Sequence, residues 1–256
     1  AHFKHPYNLC INRQVFGKTD RASAVIASIE NLKNILKARL QEFTDQFHID
    51  LFIIENALAI PLNIPLGVAL SELISENQIP TIAHHHDFYW ERVRFSINAV
   101  SDYLGMAFPP NLANIEHVVI NSAAREELAH RRGISSIIIP NVLDVHNPPA
   151  INHQRAQAFI RSIDLNPDDC IILQPTRIVK RKGIEYAIDL VRELLPLSCK
   201  LVISHEAGDE GFEYPDWIQE YARDRQVDLR LVQTRITDPW AGRRNTEEEY
   251  SLWDIY

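Results

Sequence analysis

The fold class is indicated most clearly by the stretch Cys170-Ile-Ile-Leu-Gln-Pro-Thr-Arg-Ile-Val-Lys-Arg-Lys-Gly183. Here an apolar run of strand length leads through a short turn into a helix. The apolar run over residues 170–173 predicts a strand, and the apolar spacing over residues 184–195 predicts an amphipathic helix. The turn between them carries four cations, which are Arg177, Lys180, Arg181 and Lys182. Amides at a helix start point outward, so this turn favours a phosphate or diphosphate ligand, although a solvated basic turn has the same composition.

The same alternation of apolar strands and amphipathic helices runs along the rest of the chain. Predicted strands cover residues 50–54, 79–83, 117–121, 136–139, 170–173, 199–204 and 228–232, and predicted helices cover residues 25–43, 68–75, 90–104, 123–132, 154–162, 184–195 and 217–225. Short apolar strands joined by helices are typical of a parallel sheet covered on both faces. The predicted fold class is therefore α/β.

A linker divides this pattern into two runs. Residues 140–149 contain three prolines and two asparagines, which is typical of a connecting segment. We therefore predict two Rossmann-like domains, 1–145 and 146–256. The first opens without an apolar first strand and glycine-rich turn, and the second stops after about three strands where such a domain usually has five or six. We expect both domains to be incomplete and the chain to be a fragment.

Composition excludes some classes of protein. The 256 residues carry a formal net charge of −8, which argues against a generic nucleic-acid binder because such proteins present a basic surface. No apolar run approaches the roughly 20 residues of a membrane span, although peripheral membrane contact is compatible with the sequence. The three cysteines, Cys10, Cys170 and Cys199, form no CxxC motif, which predicts a reducing compartment and a cytoplasmic protein. The oligomeric state is not indicated.

Three consecutive histidines follow the predicted strand at residues 79–83. Side chains alternate along a strand, so His84 and His86 are predicted to share one side and His85 the other. Three interpretations are open: a metal site, which three consecutive histidines cannot easily form, a structural role at the strand end, or a histidine that faces substrate. No HExxH or CxxC spacing supports metal, so the prediction is that no metal is bound.

Residues 88–95 are rich in aromatic and charged side chains. They are consistent with a partly buried helix start whose aromatic rings pin the preceding loop. They are equally consistent with an acceptor-binding surface, where an aromatic ring stacks on a sugar and charged groups bind its polar atoms. The predicted contacts to acceptor or sugar are Asp87, Trp90, Glu91 and Arg94.

The sequence lacks the GxSxG, P-loop and GxGxxG fingerprints of hydrolases, NTPases and dehydrogenases, but it resembles glycosyltransferase family 4, the retaining GT-B enzymes. Four passages carry the resemblance: Ile79-Pro-Thr-Ile-Ala-His-His-His-Asp-Phe88, Val118-Val-Ile-Asn-Ser122, Ile138-Ile-Pro-Asn-Val-Leu-Asp144, and Pro175-Thr-Arg177 through Lys182-Gly183. The third is similar to the family's "IPNGVD" passage and the fourth to its "GRL…KG" turn. Their order and spacing make the combination more specific than any one motif.

The resemblance implies a GT-B fold, with two Rossmann-like domains facing a cleft, an acceptor-side N-terminal domain and a donor-binding C-terminal domain. It implies carbohydrate biosynthesis by transfer of a hexosyl unit from a nucleotide-diphosphate sugar to an unknown acceptor, with retention of configuration. Arg177 and Lys182 match the basic pair on the donor diphosphate, and His86 matches the catalytic histidine near the transferred sugar. Such enzymes need no metal or other cofactor, because basic side chains and helix N-termini stabilise the leaving diphosphate.

Three departures from the family pattern bear on the expected activity. The glycine-rich first loop is absent, and so is the E-x7-E segment that contacts the donor sugar and ribose, so we expect the fragment to be inactive by itself. Gln174 and Pro175 replace the usual glycine-bearing turn before Arg177. Two other classes stay open: a non-catalytic nucleotide-sugar binding module, and a metal-dependent hydrolase built on His84–His86.

Overall fold

The computed structural model describes residues 2–142, 146–147, 152–166, 168–194, 197–205, 213–232, 236–237 and 250–251. The chain divides into two compact units, Ala1–Leu143 and Asp144–Tyr256. The expected linker lies partly outside the described residues, and so does the expected boundary near residue 145. In the part of the chain that the structure describes, every helix is too short or too polar to cross a membrane.

The first unit is built on a parallel sheet of four strands. Its strands are β1 (Phe52–Glu55), β2 (Thr81–His85), β3 (Ile115–Val119) and β4 (Ile137–Ile138), and they pair in chain order. The register places Glu55 beside His84 and Ala83 beside His117. The carboxyl ends of β1 and β2 therefore meet at one edge of the sheet.

Five α-helices accompany this sheet: α1 (Pro6–Val15), α2 (Ser23–Phe47), α3 (Ile64–Asn77), α4 (Ser101–Ala107) and α5 (Ser122–Arg132). The apolar stripe of α2 is buried with α1, α3 and α4 in one core cluster, to which Val25, Ile29 and Val68 belong. Gly67 of α3 is required there, because a Cβ atom at this position would lie 2.1 Å from the Phe108 ring. Helix α5 packs on β3 and β4.

The predicted helix over residues 90–104 is wrong before Ser101 and confirmed from Ser101 onward. The chain forms two 3₁₀ turns, Tyr89–Glu91 and Val93–Phe95, before α4 begins at Ser101. Residues 97–99 instead pair with the end of α1, since Ala99 N donates to Val15 O at 2.9 Å, Gly17 N donates to Ile97 O at 2.8 Å, and Phe16 and Asn98 form an antiparallel bridge. This pairing with a distant segment satisfies backbone groups that a continuous helix would have used internally.

The second unit has a parallel sheet of three strands, β5 (Ile171–Arg177), β6 (Lys200–His205) and β7 (Leu229–Leu231). Its helices are α6 (His153–Ser162), α7 (Ile184–Glu193) and α8 (Glu213–Asp224), and a further parallel pair joins β8 (Ile236–Thr237) to β9 (Tyr250–Ser251). Helix α7 packs on β5, β6 and α8 over a core that includes Ile184, Ile188 and Leu201. The α/β class with parallel sheets is confirmed in both units.

Candidate functional site

The carboxyl ends of β1 and β2 bring two histidines onto one carboxylate. His86 Nε2 lies 2.9 Å from Glu55 Oε2, and His84 Nδ1 lies 3.2 Å from Glu55 Oε1. The two rings are also neighbours, with centroids 4.5 Å apart. The predicted alternation of the histidines is confirmed, since His84 and His86 share this side of the strand. Glu55 was missed from the sequence because it lies about 30 residues upstream.

Glu55 is held in its ionised form. Desolvation alone would raise the pKa of its carboxyl group, but hydrogen bonds from His86 and then His84 outweigh it and lower the pKa. The carboxylate therefore accepts from both imidazoles at neutral pH. With Nε2–H directed at Glu55, neutral His86 presents Nδ1 as a hydrogen-bond acceptor, and protonated His86 presents it as a donor.

Asn56 fixes the backbone on which these groups stand. It adopts a left-handed conformation with φ of 60°, which asparagine tolerates better than most residues. Its backbone N–H donates to His84 O at 2.9 Å, and its Oδ1 accepts from the His86 N–H at 3.0 Å. Its Nδ2 donates to Asp87 Oδ1 at 2.8 Å. An asparagine directly after a strand was the available sequence signal for this role.

His85 points to the opposite side of β2 and meets His117 of β3. His85 Nε2 lies 2.9 Å from His117 Nδ1, and both side chains are buried. Burial is the main cause that lowers the pKa of His85 to about 3 and that of His117 to about 4. Both rings are therefore neutral at physiological pH, and this pair has a structural role separate from Glu55.

The segment after the histidines uses several of its polar groups internally. Asp87 Oδ2 lies 2.6 Å from Arg92 Nη2, in addition to its bond from Asn56. Glu91 accepts from the Phe88 N–H at 2.9 Å, and desolvation raises the pKa of its carboxyl group. Asp87 and Glu91 thus stabilise the turn, and the predicted contacts of both with acceptor stay predictions.

Trp90 and Arg94 differ in how far they are available to a ligand. The Trp90 ring stacks on Phe88 with centroids 4.4 Å apart, and the Arg131 guanidinium lies 5.5 Å from its centroid. Trp90 Nε1 is buried and has no hydrogen-bond partner among the described residues. Arg94 is exposed and lies over the Phe95 ring. The predicted roles of both in acceptor binding stay predictions.

In the second unit, Arg177 is the last residue of β5, which extends farther than the predicted strand over residues 170–173. Its strand partner is His205, the last residue of β6, after a register shift between Gln174 and Arg177. Pro175 lies within this irregular stretch and has no N–H to donate to the ladder. Ligands of open α/β sheets bind at this edge, beyond the carboxyl ends of the strands.

The sequence did not indicate that His205 neighbours Arg177, because the residues of β6 and the polar loop after it do not show in which register β6 pairs with β5. Its Nδ1 lies 2.7 Å from Ser204 Oγ. Burial, followed by the charge of Arg177, lowers the pKa of His205. A neutral imidazole therefore stands beside a guanidinium at this strand edge. Residues 206–212 of the following loop lie outside the described residues.

The basic turn itself is a 3₁₀ helix, Lys180–Lys182, closed by Gly183. All three of its side chains are exposed, and buried Ile178 and Val179 anchor its start. Gln174 Nε2 donates to the Lys182 carbonyl at 3.0 Å, which ties the turn to β5. Gly183 has φ of 60° and leads directly into α7.

The expectation that the amides of this helix start are open to a ligand is partly wrong. The Ile184 N–H already donates to the Tyr214 hydroxyl of α8 at 3.1 Å. That hydroxyl in turn donates to the carboxylate of Glu185, in the first turn of α7. An anion at this turn would therefore depend more on the cationic side chains than on the first helix amide.

Among the described residues, Glu55, His84 and His86 form the group of side chains that could hold a metal ion. One ligand atom from each lies within 4.8 Å of the others. Imidazole nitrogen and carboxylate oxygen are ordinary zinc ligands, so the donor set fits such an ion. The same three side chains are also hydrogen-bonded to one another, and His84 Nε2 is buried without a hydrogen-bond partner among the described residues. Two chemical interpretations of the same atoms are therefore open.

The chain is similar in sequence to two known synthases. The chain is 32% identical, over 290 aligned positions, to mannosylglucosylglycerate synthase of Petrotoga mobilis, and the match covers 99% of the chain and 64% of the relative. It is also 32% identical to mannosylglucosylglycerate synthase of Thermotoga maritima, with 89% of the chain and 52% of the relative covered. The chain thus spans between half and two thirds of these relatives. No protein-family model matches it.

A solved structure supports the fold. The crystal structure of a glycosyltransferase from Rickettsia africae matches 90% of the chain and 52% of its own length, with a TM-score of 0.53 and 12% sequence identity. At that identity the likeness concerns the fold alone. The parallel α/β units are therefore of the Rossmann-like type.

Proposed function

We propose that the protein to which this chain belongs is a retaining glycosyltransferase of the GT-B type, similar to family 4, which moves a hexosyl unit from a nucleotide-diphosphate sugar. The observation that carries the proposal is the position of Arg177, at the carboxyl end of a parallel strand and directly before the basic turn that Gly183 closes. The names of the two relatives favour an enzyme over a non-catalytic binding module.

On the donor side, Arg177 and Lys182 would bind the diphosphate. A guanidinium offers a planar pair of donors to phosphate oxygens, and an ammonium adds a compact charge. Negative charge grows on the diphosphate as the bond to the sugar breaks, so cations in place beforehand lower the barrier. His205, neutral beside Arg177, would act as a hydrogen-bond partner that adds no charge to the site.

On the sugar side, His86 would contact the transferred hexose through Nδ1 while Nε2 stays on Glu55. Glu55 would hold the ring in one orientation and fix which ring nitrogen faces the sugar. The backbone bond from His86 to Asn56 keeps the imidazole at the strand end. His86 is thus the proposed catalytic residue, and Glu55 and Asn56 are positioning residues.

The acceptor can be proposed from the relatives' name, which describes a product with a mannosyl unit, a glucosyl unit and glycerate. We infer an acceptor of the same class, a small sugar or glycoside that carries a carboxylate. Exposed Arg94 would suit that carboxylate, and Trp90, stacked on Phe88, would offer a partly covered ring edge to a sugar. Asp87 and Glu91 would act by holding this turn.

Donor binding is tested by titrating the chain with uridine, guanosine and adenosine diphosphate hexoses in a calorimeter. The double variant Arg177→Ala/Lys182→Ala is expected to weaken binding about 100-fold or more, because each of the two charged hydrogen bonds is worth about 1.5–3 kcal/mol. The matched control Lys180→Ala/Arg181→Ala removes the same charge from the same turn. It is expected to change affinity by less than about threefold at moderate salt.

Equal losses in the two double variants would show that the turn acts only through its net charge, and would remove Arg177 and Lys182 from the diphosphate site. Turnover needs the longer parent protein, in which the anomeric configuration of donor and product is compared by NMR. Inversion of configuration would contradict the retaining mechanism.

Independence from metal belongs to the proposal and is tested separately. Purified protein is expected to hold no stoichiometric zinc or manganese, and a chelator is expected to leave transfer by the parent protein unchanged. The competing function, a hydrolase with a metal on Glu55, His84 and His86, predicts one metal ion per chain that His84→Ala and His86→Ala each remove.

A further inference from the structure

Two of the three cysteines meet at the start of the second sheet. Cys170 directly precedes β5 and Cys199 directly precedes β6, and the next residues, Ile171 and Lys200, are strand partners. The Lys200 N–H donates to Cys170 O at 2.7 Å, so the backbone pairing reaches the cysteines themselves. Their Sγ atoms lie 2.8 Å apart. The sequence concealed this pair, because 28 residues separate the two positions.

The backbone geometry suits a covalent link. Neighbouring strands lie about 4.8 Å apart, which falls inside the Cα separation of about 4.4–6.8 Å found in disulfides. Equivalent positions on paired parallel strands direct their side chains to the same face of the sheet. A sulfur–sulfur bond of about 2.05 Å therefore needs only a small approach of two atoms already in contact.

We propose that Cys170 and Cys199 are a thiol modification site that forms a reversible disulfide with a small-molecule disulfide as oxidant. In the first step the Cys170 thiolate attacks one sulfur of the oxidant and releases one small thiol. In the second, Cys199 loses its proton and its sulfur attacks the Cys170 sulfur of the mixed disulfide, which releases the second small thiol. Two protein thiols are oxidised and one small disulfide is reduced, so two electrons and two protons are transferred in total.

Exposure sets the order of these steps. Cys170 is exposed and Cys199 is buried, so an external disulfide reaches Cys170 first. The hydrogen bond with Cys170, followed by desolvation, raises the pKa of the Cys199 thiol. Cys199 therefore stays protonated while Cys170 reacts, and it is held in contact to resolve the mixed disulfide. Cys10 of α1 is exposed too, but it lies in the other unit and serves as an internal control.

The link would leave the phosphate-binding edge untouched. Cys170 and Cys199 stand at the amino ends of the two strands whose carboxyl ends carry Arg177 and His205. Oxidation would thus tie β5 to β6 across the sheet from that site. The inference rests on contacts within the second unit alone and does not depend on the proposed transfer reaction.

The test equilibrates the folded chain with oxidised and reduced glutathione, blocks free thiols, and maps the peptides without reduction. The expected product joins the peptides of Cys170 and Cys199, has lost two hydrogen atoms, and reverts with dithiothreitol. Cys10→Ser is expected to form the same link. Cys170→Ser is expected to leave Cys199 unmodified by glutathione in the folded state, because Cys199 is buried. Cys199→Ser is expected to accumulate the mixed disulfide on Cys170.

Three results of this experiment would contradict the proposal. Labelling of all three thiols after equilibration with excess oxidised glutathione would overturn the proposal, and so would a mixed disulfide on Cys170 of the unsubstituted protein that never resolves. A link that includes Cys10 in place of either partner would also contradict it. Circular dichroism of the serine variants under reducing conditions checks that each one is folded.

Discussion

At the scale of single residues, Glu55 is the carboxylate on which the candidate site of the first unit depends. It accepts from His84 and His86 at once, and these bonds lower its own pKa. An ionised acceptor orients an imidazole more strongly than a neutral one, because charge-assisted hydrogen bonds are about twice as strong. The ring of His86 is therefore set by a residue of the neighbouring strand.

Replacement of Glu55 tests this positioning role. In the parent protein, Glu55→Gln is expected to lower kcat about 10- to 100-fold with little change in donor affinity, because it removes a charged hydrogen bond to His86 and leaves Arg177 and Lys182 unchanged. Steady-state kinetics separate the two effects, and Glu55→Asp is expected to restore part of the rate. Glu116→Gln, at an exposed position of β3, is the control and should have no effect. Unchanged kcat in Glu55→Gln would exclude the role.

Gly183 closes the basic turn in a left-handed backbone conformation. Its φ of 60° favours glycine, and a Cβ atom would lie 2.7 Å from the ring of Tyr186, which is exposed enough to turn aside. Gly183→Ala is expected to lose about 1–2 kcal/mol of unfolding free energy from the backbone alone. Urea denaturation should show a similar loss for Gly133→Ala, whose φ is 64° with open space around it. Gly105→Ala, within α4, should be neutral or stabilising.

At the scale of elements, α2 and α3 are joined by a network of charges. Glu72 of α3 accepts from Lys33 at 2.8 Å and from Lys37 at 3.0 Å, both on α2. Lys33 also pairs with Glu30 at 2.8 Å, and its side chain is only 11% exposed. The ammonium group of Lys33 is thus largely removed from water and relies on these carboxylates.

Removal of this carboxylate is expected to loosen the helix pair. Glu72→Gln should reduce the unfolding free energy by about 1–2 kcal/mol, because it leaves a poorly solvated lysine with one fewer charged partner. The matched control is Glu42→Gln, which breaks the ion pair between Arg39 and Glu42 within α2. Both of these side chains are more than half exposed. Its loss should stay below about 0.5 kcal/mol. Equal losses in both variants would contradict the argument from burial.

At the scale of the whole molecule, the buried pair of His85 and His117 makes stability depend on pH. Burial depresses both folded-state pKa values, to about 3 and about 4, below the ordinary value of 6.5. Between about pH 4 and pH 6.5 the unfolded chain therefore binds more protons at these two histidines than the folded chain does. Stability from the pair is complete above about pH 6.5 and is lost as the pH falls toward 4.

Urea denaturation at pH 7.5 and pH 5 measures this dependence. At pH 5 the free energy of unfolding is expected to be lower than at pH 7.5 by up to about 4 kcal/mol, or about 2 kcal/mol for each histidine of the pair. His117→Gln keeps a polar partner for His85 but removes one titrating group, so its difference between the two pH values should be about half as large. His130→Gln, at an exposed position of α5, should keep the full difference. An unchanged difference in His117→Gln would refute the assignment.

Much of the fold could be predicted because its signals are local. Apolar runs located the strands, and helical spacing located α2, α5 and α7. The helix expected over residues 90–104 failed before Ser101 because Ala99 and Ile97 pair with Val15 and Gly17, a contact that no local pattern contains. In the candidate site, the alternation of His84 and His86 followed from strand geometry, but their shared partner did not.

The α/β class, the approximate bounds of the helices and strands, and the cationic composition of the turn at Arg177–Lys182 follow from the sequence. They do so because periodicity and side-chain chemistry are properties of neighbouring residues. Tertiary structure alone decided that Glu55 meets His86, that Tyr214 occupies the first amide of α7, and that Cys170 touches Cys199. Each of these contacts joins positions about 30 residues apart. Parallel pairing and helix packing create them, and their register is set by burial of the whole core rather than by any single stretch.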